Sequence, residues 1–245
     1  MKIGVLTQPP VDDTLAEAIA AAGGDPVSVT PDTLSAVDAV VTVGEAQLLA
    51  LATESRSVPI LPIDAAPGVQ TVDRTDATAA LERLVTGEFE TQPVPLLEAT
   101  VGERTVCALR DVMLVTTEPA RISEYAIDSH GERVAAFRAD GVVVATPAGS
   151  HGYARAAGGS VLAPGEQVSV VPVSPFAIDM DQWVLPMAGL SLSVVRDEAE
   201  VELLADTRHE MVVPPGTTVS IAPNGTLPVA VVTESRPALT ASSAR

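Results

Sequence analysis

The chain has 245 residues, 47% of them hydrophobic, enough for one large domain or two modest ones, each with its own core. Its formal net charge is −18, from 32 acidic residues against 14 basic ones, with Lys2 the single lysine. No apolar run approaches the roughly 20 residues of a bilayer span, one cysteine excludes an internal disulfide framework, and no basic stripe exists to neutralise nucleic-acid phosphates. The acids are scattered rather than blocked, which points to a salt-rich cytoplasm rather than to an acidic patch for a basic partner. The start, Met1-Lys2-Ile3-Gly4-Val5-Leu6, goes straight into a strand-like run without a signal-peptide cleavage pattern. A cytoplasmic protein with neither membrane nor nucleic-acid partners is expected.

Residues 1–90 alternate between strand and helix. Lys2–Thr7, Pro26–Val29, Ala39–Val43 and Val58–Ile63 read as strands. Between them, Asp12-Asp13-Thr14 offers a helix cap, and Leu15, Ile19 and Ala22 line one face up to Gly23-Gly24. Ala46–Thr53 and Thr75–Val85 read as further helices. This alternation predicts a Rossmann-like parallel α/β domain, in which ligands bind beyond the carboxyl ends of the strands. Val43–Gln47 and Asp64–Gly68 lie at such ends.

Past Gly87–Pro95, read as a linker, the pattern changes to short strands separated by turns. They are Val94–Val101, Thr105–Thr116, Ile122–Ile127, Arg133–Ala139, Gly141–Ala145, Val168–Val171, Leu190–Val195, Val201–Leu204, Met211–Val213, Thr218–Ile221 and Pro228–Val232. Asn224-Gly225 reads as a loop. An all-β, sandwich-like second domain over 91–234 follows, with a frayed tail over 235–245.

Within this half, Val142, Val143 and Val144 form a β-branched strand core that Thr146-Pro147 ends. Gly149, Ser150, His151, Gly152 and Tyr153 follow, small residues with a hydroxyl, an imidazole and a phenol among them. Two readings stand: a glycine-rich turn between strands, or a backbone that a ligand approaches closely. His130, His151 and His209 show no ligand-like spacing, so no protein metal cluster is expected.

Taken together, the two halves resemble the NAD kinase family. That family joins an α/β domain to an all-β domain and carries a strand ending in DG, a TPTGSTAY run and a trailing SAGG. Asp140-Gly141, Thr146-Pro147-Ala148-Gly149-Ser150-His151-Gly152-Tyr153 and Ala156-Ala157-Gly158-Gly159 fall at the same spacings. Val171–Phe176 resembles the family's TPICPHS segment and Trp183-Val184-Leu185-Pro186 its RPLVLP. Lipid kinases share the two-domain plan but are not expected to carry this run.

Several positions depart from the family pattern. Its GGDGT phosphate loop corresponds to Val43-Gly44-Glu45-Ala46-Gln47, where Glu45 keeps a carboxylate one methylene further out, Ala46 adds a Cβ and Gln47 lacks the threonine hydroxyl. Its ALNE corresponds to Ala108-Leu109-Arg110-Asp111, its asparagine before a glycine-rich turn to Ile63-Asp64-Ala65-Ala66, and its DGQ hairpin to Asp206-Thr207-Arg208.

The resemblance implies phosphorylation of the 2′-hydroxyl of the adenosine ribose of NAD, giving NADP. ATP or polyphosphate would be the donor, with Mg²⁺ or another divalent cation. It assigns Glu45 as general base or as a residue beside the metal, Gly44, Ala46 and Gln47 to the phosphates, and Arg110, Asp111, Asp140, Thr146, Ser150, His151, Gly152, Tyr153 and Ala156 to the dinucleotide. Each has a structural counterpart. Glu45 also suits the start of a helix, Arg110 also suits an ion pair with Asp111, and Thr146 and Ser150 also suit caps. The alternative function is a weak or inactive paralogue that binds NAD or NADP as a sensor. Family members form homodimers or homotetramers, so self-association is implied as well.

Overall fold

The computed structural model describes residues 1–6, 13–54, 58–118 and 121–239. Thr7, Asp12 and tail residues 240–245, which entered the sequence reading, lie outside them. The chain divides into two compact units, Met1–Val94 with Thr226–Arg245, and Pro95–Gly225. The division is not the linear one expected at residue 90, because the segment after Gly225 returns to the first unit.

The α/β unit begins with β1 (Lys2–Leu6), α1 (Asp13–Ala21), β2 (Asp25–Val29), β3 (Ala39–Val43) and α2 (Gly44–Glu54). β4 (Ile60–Ile63), β5 (Thr71–Val72) and α3 (Ala77–Thr86) follow. The strands pair in parallel in the order β4-β3-β1-β2. α1 and α3 cover one face, with Leu15, Ile19, Leu81 and Leu84 packed on Ile3, Val5, Val41, Leu61 and Ile63. Val40 and Ile60, which alternate with that set, are buried too. A sheet buried on both faces requires continuous apolar strands, as Ala39-Val40-Val41 and Ile60-Leu61 supply. α3 ends at Gly87, whose φ of 79° lets its N–H reach the carbonyls of Arg83 and Leu84.

The chain then enters β6 (Glu90–Val101). The expected linker at Gly87–Pro95 is thus largely strand. Pro93 is exposed there, where a strand tolerates a missing donor. Next come β7 (Arg104–Ala108), β8 (Asp111–Thr116), β9 (Ser123–Ser129), β10 (Glu132–Ala139), β11 (Gly141–Ala145) and the short α4 (Tyr153–Ala156). β12 (Gln167–Val173), β13 (Trp183–Pro186), β14 (Leu190–Arg196), β15 (Val201–Ala205) and β16 (Arg208–Val212) complete the β unit up to β17 (Thr218–Val231). The single strand expected over Thr105–Thr116 is therefore two, broken at Leu109-Arg110. The loop expected at Asn224-Gly225 is absent: β17 runs through it, and Gly225 absorbs the irregularity with a φ of 72°.

The β unit is a sandwich. One antiparallel sheet is ordered β13-β12-β11-β8-β15-β16, and the other contains β10-β9-β14 and the first part of β17. Val142, Val144, Val168, Leu114 and Leu203 from the first share a core with Tyr125, Ile127, Leu192 and Val219 from the second. The outer face of the first sheet is covered by Ala154 and Ala157, packed on Val143, Ala145 and Val171. After β17 the chain adds β18 (Ser235–Arg236), antiparallel to β5, so the expected frayed tail begins as a strand.

Candidate functional site

Three connections meet at one end of the first sheet of the β unit. Asp111, the first residue of β8, pairs across to Ala145 at the end of β11, and the neighbouring Val112 pairs to Ala205 at the end of β15. The turn Leu109-Arg110, the turn after Thr146 and the hairpin at Asp206-Thr207 are therefore neighbours.

The turn after β11 is built on Thr146. Its hydroxyl donates to the carbonyl of Leu109 at 2.6 Å and accepts the N–H of Gly149 at 3.1 Å. Its own N–H donates to the carbonyl of Arg110 at 2.8 Å. The Ser150 hydroxyl donates to the Pro147 carbonyl at 2.8 Å and accepts the N–H of Leu162 at 2.9 Å. Both side chains are fully buried. The hydroxyls proposed from sequence to touch the dinucleotide are turned inward and shape the turn instead. Gly149 shows why it carries no side chain: a Cβ there would stand 2.0 Å from the Arg110 carbonyl oxygen.

Around this turn, Gly152, Tyr153 and Ala156 are exposed, Tyr153 at 48%. An aromatic face left in solvent beside a glycine-walled turn can receive a planar ring. His151 differs. Both its ring nitrogens are buried without a hydrogen-bond partner. Burial, then the charges of Arg155 and Arg110, hold its pKa below the usual histidine range, so the ring is neutral at neutral pH. The buried Arg110 guanidinium donates to the carbonyl of Ala148. Asp140 does not join this group along its strand. It precedes β11 while Thr146 follows it, and extended backbone puts roughly 20 Å between them. The Asp140 carbonyl accepts from the Thr116 N–H and hydroxyl and from the buried Tyr125 hydroxyl.

The acidic pair here is Asp111 with Asp206, the latter only 1% exposed at its side chain. Burial, then the charge of Asp206, pushes the Asp111 carboxyl up to about 7 against the opposing charge of Arg110. Burial also raises Asp206, against the amide donors of Arg110, Leu109 and Asp111 and the Arg208 charge. The amides favour the ionised form of Asp206 and so oppose the effect of its burial. Asp206 is the residue that local sequence reasoning undervalued. Its signal was its place in the degenerate hairpin motif.

In the α/β unit, the residues proposed as a phosphate loop form no separate loop: α2 begins at Gly44 itself. Only Gly44 takes the left-handed conformation, at φ 75°; Ala46 is not strained. Gln47 Oε1 accepts the N–H of Val43 at 2.8 Å, and Glu45 Oε2 accepts the N–H of Ala66 at 2.9 Å, in the loop after β4. Glu45 is thus tied across two strand ends. Asp64, at the end of β4, is held at φ 52° and accepts the N–H of Arg74 at 3.1 Å. No set of three His, Cys, Asp or Glu side chains gathers for a metal among the described residues.

Solved structures carry the same architecture. Yeast NADH kinase, complexed with NADH, superposes with a TM-score of 0.81 at 16% identity, covering 96% of this chain and 84% of that one. The NAD kinase of Archaeoglobus fulgidus, in complex with ATP, gives 0.77 at 24% identity, covering 96% and 94%. The fold is therefore that of the dinucleotide kinases. Residues 109–233 match the ATP-NAD kinase C-terminal domain, and this chain belongs to that family. The NAD kinase of Gemmatimonas aurantiaca is 34% identical over 180 residues, 69% of this chain and 62% of the relative. The aligned part is thus less than two thirds of that relative's length.

Two expectations follow from the geometry. Gly149→Ala drives a Cβ into the Arg110 backbone and should cost about 3 kcal/mol or more, or prevent folding. Gly152→Ala, whose Cβ meets the Gly149 carbonyl oxygen at 3.3 Å on a backbone at φ −91° and ψ −127° that side chains disfavour, should cost less, about 1–2 kcal/mol. Denaturant midpoints of the two variants compare them directly. Asp111 keeps a proton in the folded chain that the unfolded chain releases. Its contribution is complete below about pH 4 and is lost as pH rises to about 7. Between pH 5 and 8 the parent chain should lose on the order of 1–3 kcal/mol more stability than Asp111→Asn, read from denaturant unfolding at constant salt.

Proposed function

We propose that this chain transfers a phosphoryl group to the 2′-hydroxyl of the adenosine ribose of NAD, giving NADP. The observation that carries the reading is the family match over 109–233, which includes the glycine-walled turn with Tyr153 exposed beside it. In this reading the ribose 2′-oxygen attacks the terminal phosphorus of ATP or polyphosphate, the bond to the bridging oxygen breaks, and Glu45 takes the hydroxyl proton. Tyr153 stacks on a ring of the dinucleotide, with Gly152 and Ala156 leaving room for it. Asp111 and Asp140 are polar contacts, and the neutral ring of His151, its nitrogens buried, lines the turn beside Tyr153. Thr146, Ser150 and Arg110 shape the turn. Gly44, Ala46 and Gln47, in the first turn of α2, face the donor phosphates with free helix N–H groups.

Among the described residues no group of carboxylates, histidines or thiols gathers to hold a resident cation, so no step is routed through one. A divalent cation belongs to the substrate, arriving on the donor phosphates as Mg²⁺ commonly does. We assign the protein to the cytoplasm and to a homodimer or homotetramer. Phe176 at 71%, Ile178 at 101% and Val184 at 54% exposure support self-association of the β unit.

The test is NADP formation by the purified chain in high salt with Mg²⁺ and ATP or polyphosphate, its mass followed by light scattering in the same buffer. Glu45→Ala should form NADP at least about 100-fold more slowly. A parent rate no higher than that of Glu45→Ala would sink the kinase reading. NAD or NADP binding without turnover would instead identify a sensor, and a monomer at all concentrations would remove the oligomer.

A further inference from the structure

The connection Leu109-Arg110 is held from both sides. Its carbonyls face the turn after β11: the Leu109 carbonyl accepts the Thr146 hydroxyl and the Arg110 carbonyl accepts the Thr146 N–H. Its amides face the opposite way, toward one carboxylate. Asp206 Oδ1 accepts the N–H of Arg110 at 2.7 Å and of Asp111 at 3.3 Å, and Oδ2 accepts the N–H of Leu109 at 3.2 Å. The Asp206 N–H donates back to the Asp111 carbonyl at 2.8 Å. Three consecutive amides converging on one anion form a concave nest. Here the anion comes from the protein's own hairpin. Asp206 takes a φ of 54°, a conformation that aspartate tolerates better than most residues and that the two-residue turn between β15 and β16 uses.

We infer that Asp206 is a positioning residue for the dinucleotide pocket, acting through the 109–111 connection on the turn that carries His151 and Tyr153. The inference rests on the dinucleotide reading of that turn. The chain of contact is continuous. Asp206 fixes the amides of 109–111. Those residues present the carbonyls that seat Thr146, and the Arg110 backbone is the surface against which Gly149 lies. The Arg110 side chain donates to Ala148 within the same turn. Removing the Asp206 carboxylate leaves three amides without an acceptor, all of them on residues that are themselves buried, Leu109, Arg110 and Asp111. The connection must then rearrange to find water, and the seat of Thr146 and Gly149 moves with it. Asp206 touches no ligand in this scheme, which distinguishes it from Tyr153. Arg208, 3.7 Å from Asp206 Oδ2, also donates to the Cys107 carbonyl at 2.8 Å and braces the carboxylate from β16.

The experiment compares the parent chain with Asp206→Asn and Asp206→Ala by calorimetric titration with NAD and NADP, by steady-state kinetics and by amide hydrogen exchange. Asparagine keeps one oxygen for the amides of Arg110 and Asp111 and loses the acceptor for Leu109; alanine loses all three. The expected result is graded. Dinucleotide affinity falls several-fold in Asp206→Asn and at least tenfold in Asp206→Ala, while turnover at saturating NAD stays within threefold of the parent. Exchange speeds up at 109–111 and 146–150 but not in β9 and β10. Unchanged affinity in Asp206→Ala would overturn the inference. So would an equal loss of affinity, turnover and unfolding midpoint in both variants, which marks a residue needed only for folding. A parent chain that binds neither NAD nor NADP overturns the dinucleotide reading itself and the positioning role with it. That outcome is separable from the others because it is seen before any substitution is made.

Discussion

The approach of Gly149 to the backbone of Arg110 is the constraint on which the candidate site depends. Only a hydrogen fits where a Cβ would sit 2.0 Å from a carbonyl oxygen. That closeness lets two separate connections, one after β7 and one after β11, share a single set of hydrogen bonds through Thr146. The outward-facing residues inherit their placement from it. Tyr153 opens α4 three residues after a residue pair is locked inside, and α4 is pinned in turn by Ala154 against Val143 and Val171. Rigid support under an exposed aromatic ring is what ligand recognition needs, since a ring that must first be ordered contributes less to binding.

The polar interior of this region follows a consistent electrostatic logic. Two buried carboxyls cannot both ionise cheaply side by side. Burial raises both carboxyls, and the amides of 109–111 work against it at Asp206 by favouring the ionised form. His151 shows the same rule for a base: burial and two neighbouring arginines disfavour its cation.

Local pattern made the scaffold legible. Apolar runs such as Ala39–Val43 and Val142–Val144 marked central strands, and Thr146-Pro147 marked where β11 stops. What it missed was long-range. Asp206 and Arg110 are 96 residues apart in sequence, and a carboxylate that meets three distant amides leaves no period to read. The tie between Glu45 and Ala66 spans 21 residues and is equally silent. The DG motif assigns Asp140 to the dinucleotide, and a strand of extended backbone separates it from Thr146. The motif in which Thr146 and Ser150 stand assigns them to the dinucleotide as well, and their burial and hydrogen bonds fit the alternative reading as caps of the turn.

The return of the chain to the α/β unit has a consequence for its biosynthesis. β4 takes Val229 of β17 as a parallel neighbour opposite Ile60, and β5 takes β18. The sheet begun by β1 is therefore completed only by β17 and β18. The β unit, by contrast, is contiguous in the chain and has all its strands once Gly225 has emerged. During synthesis the middle of the protein can reach its final topology first, while the α/β sheet waits with unpaired edges at β4 and β5. Arrest or truncation near residue 226 would release a finished sandwich tethered to an open, aggregation-prone sheet.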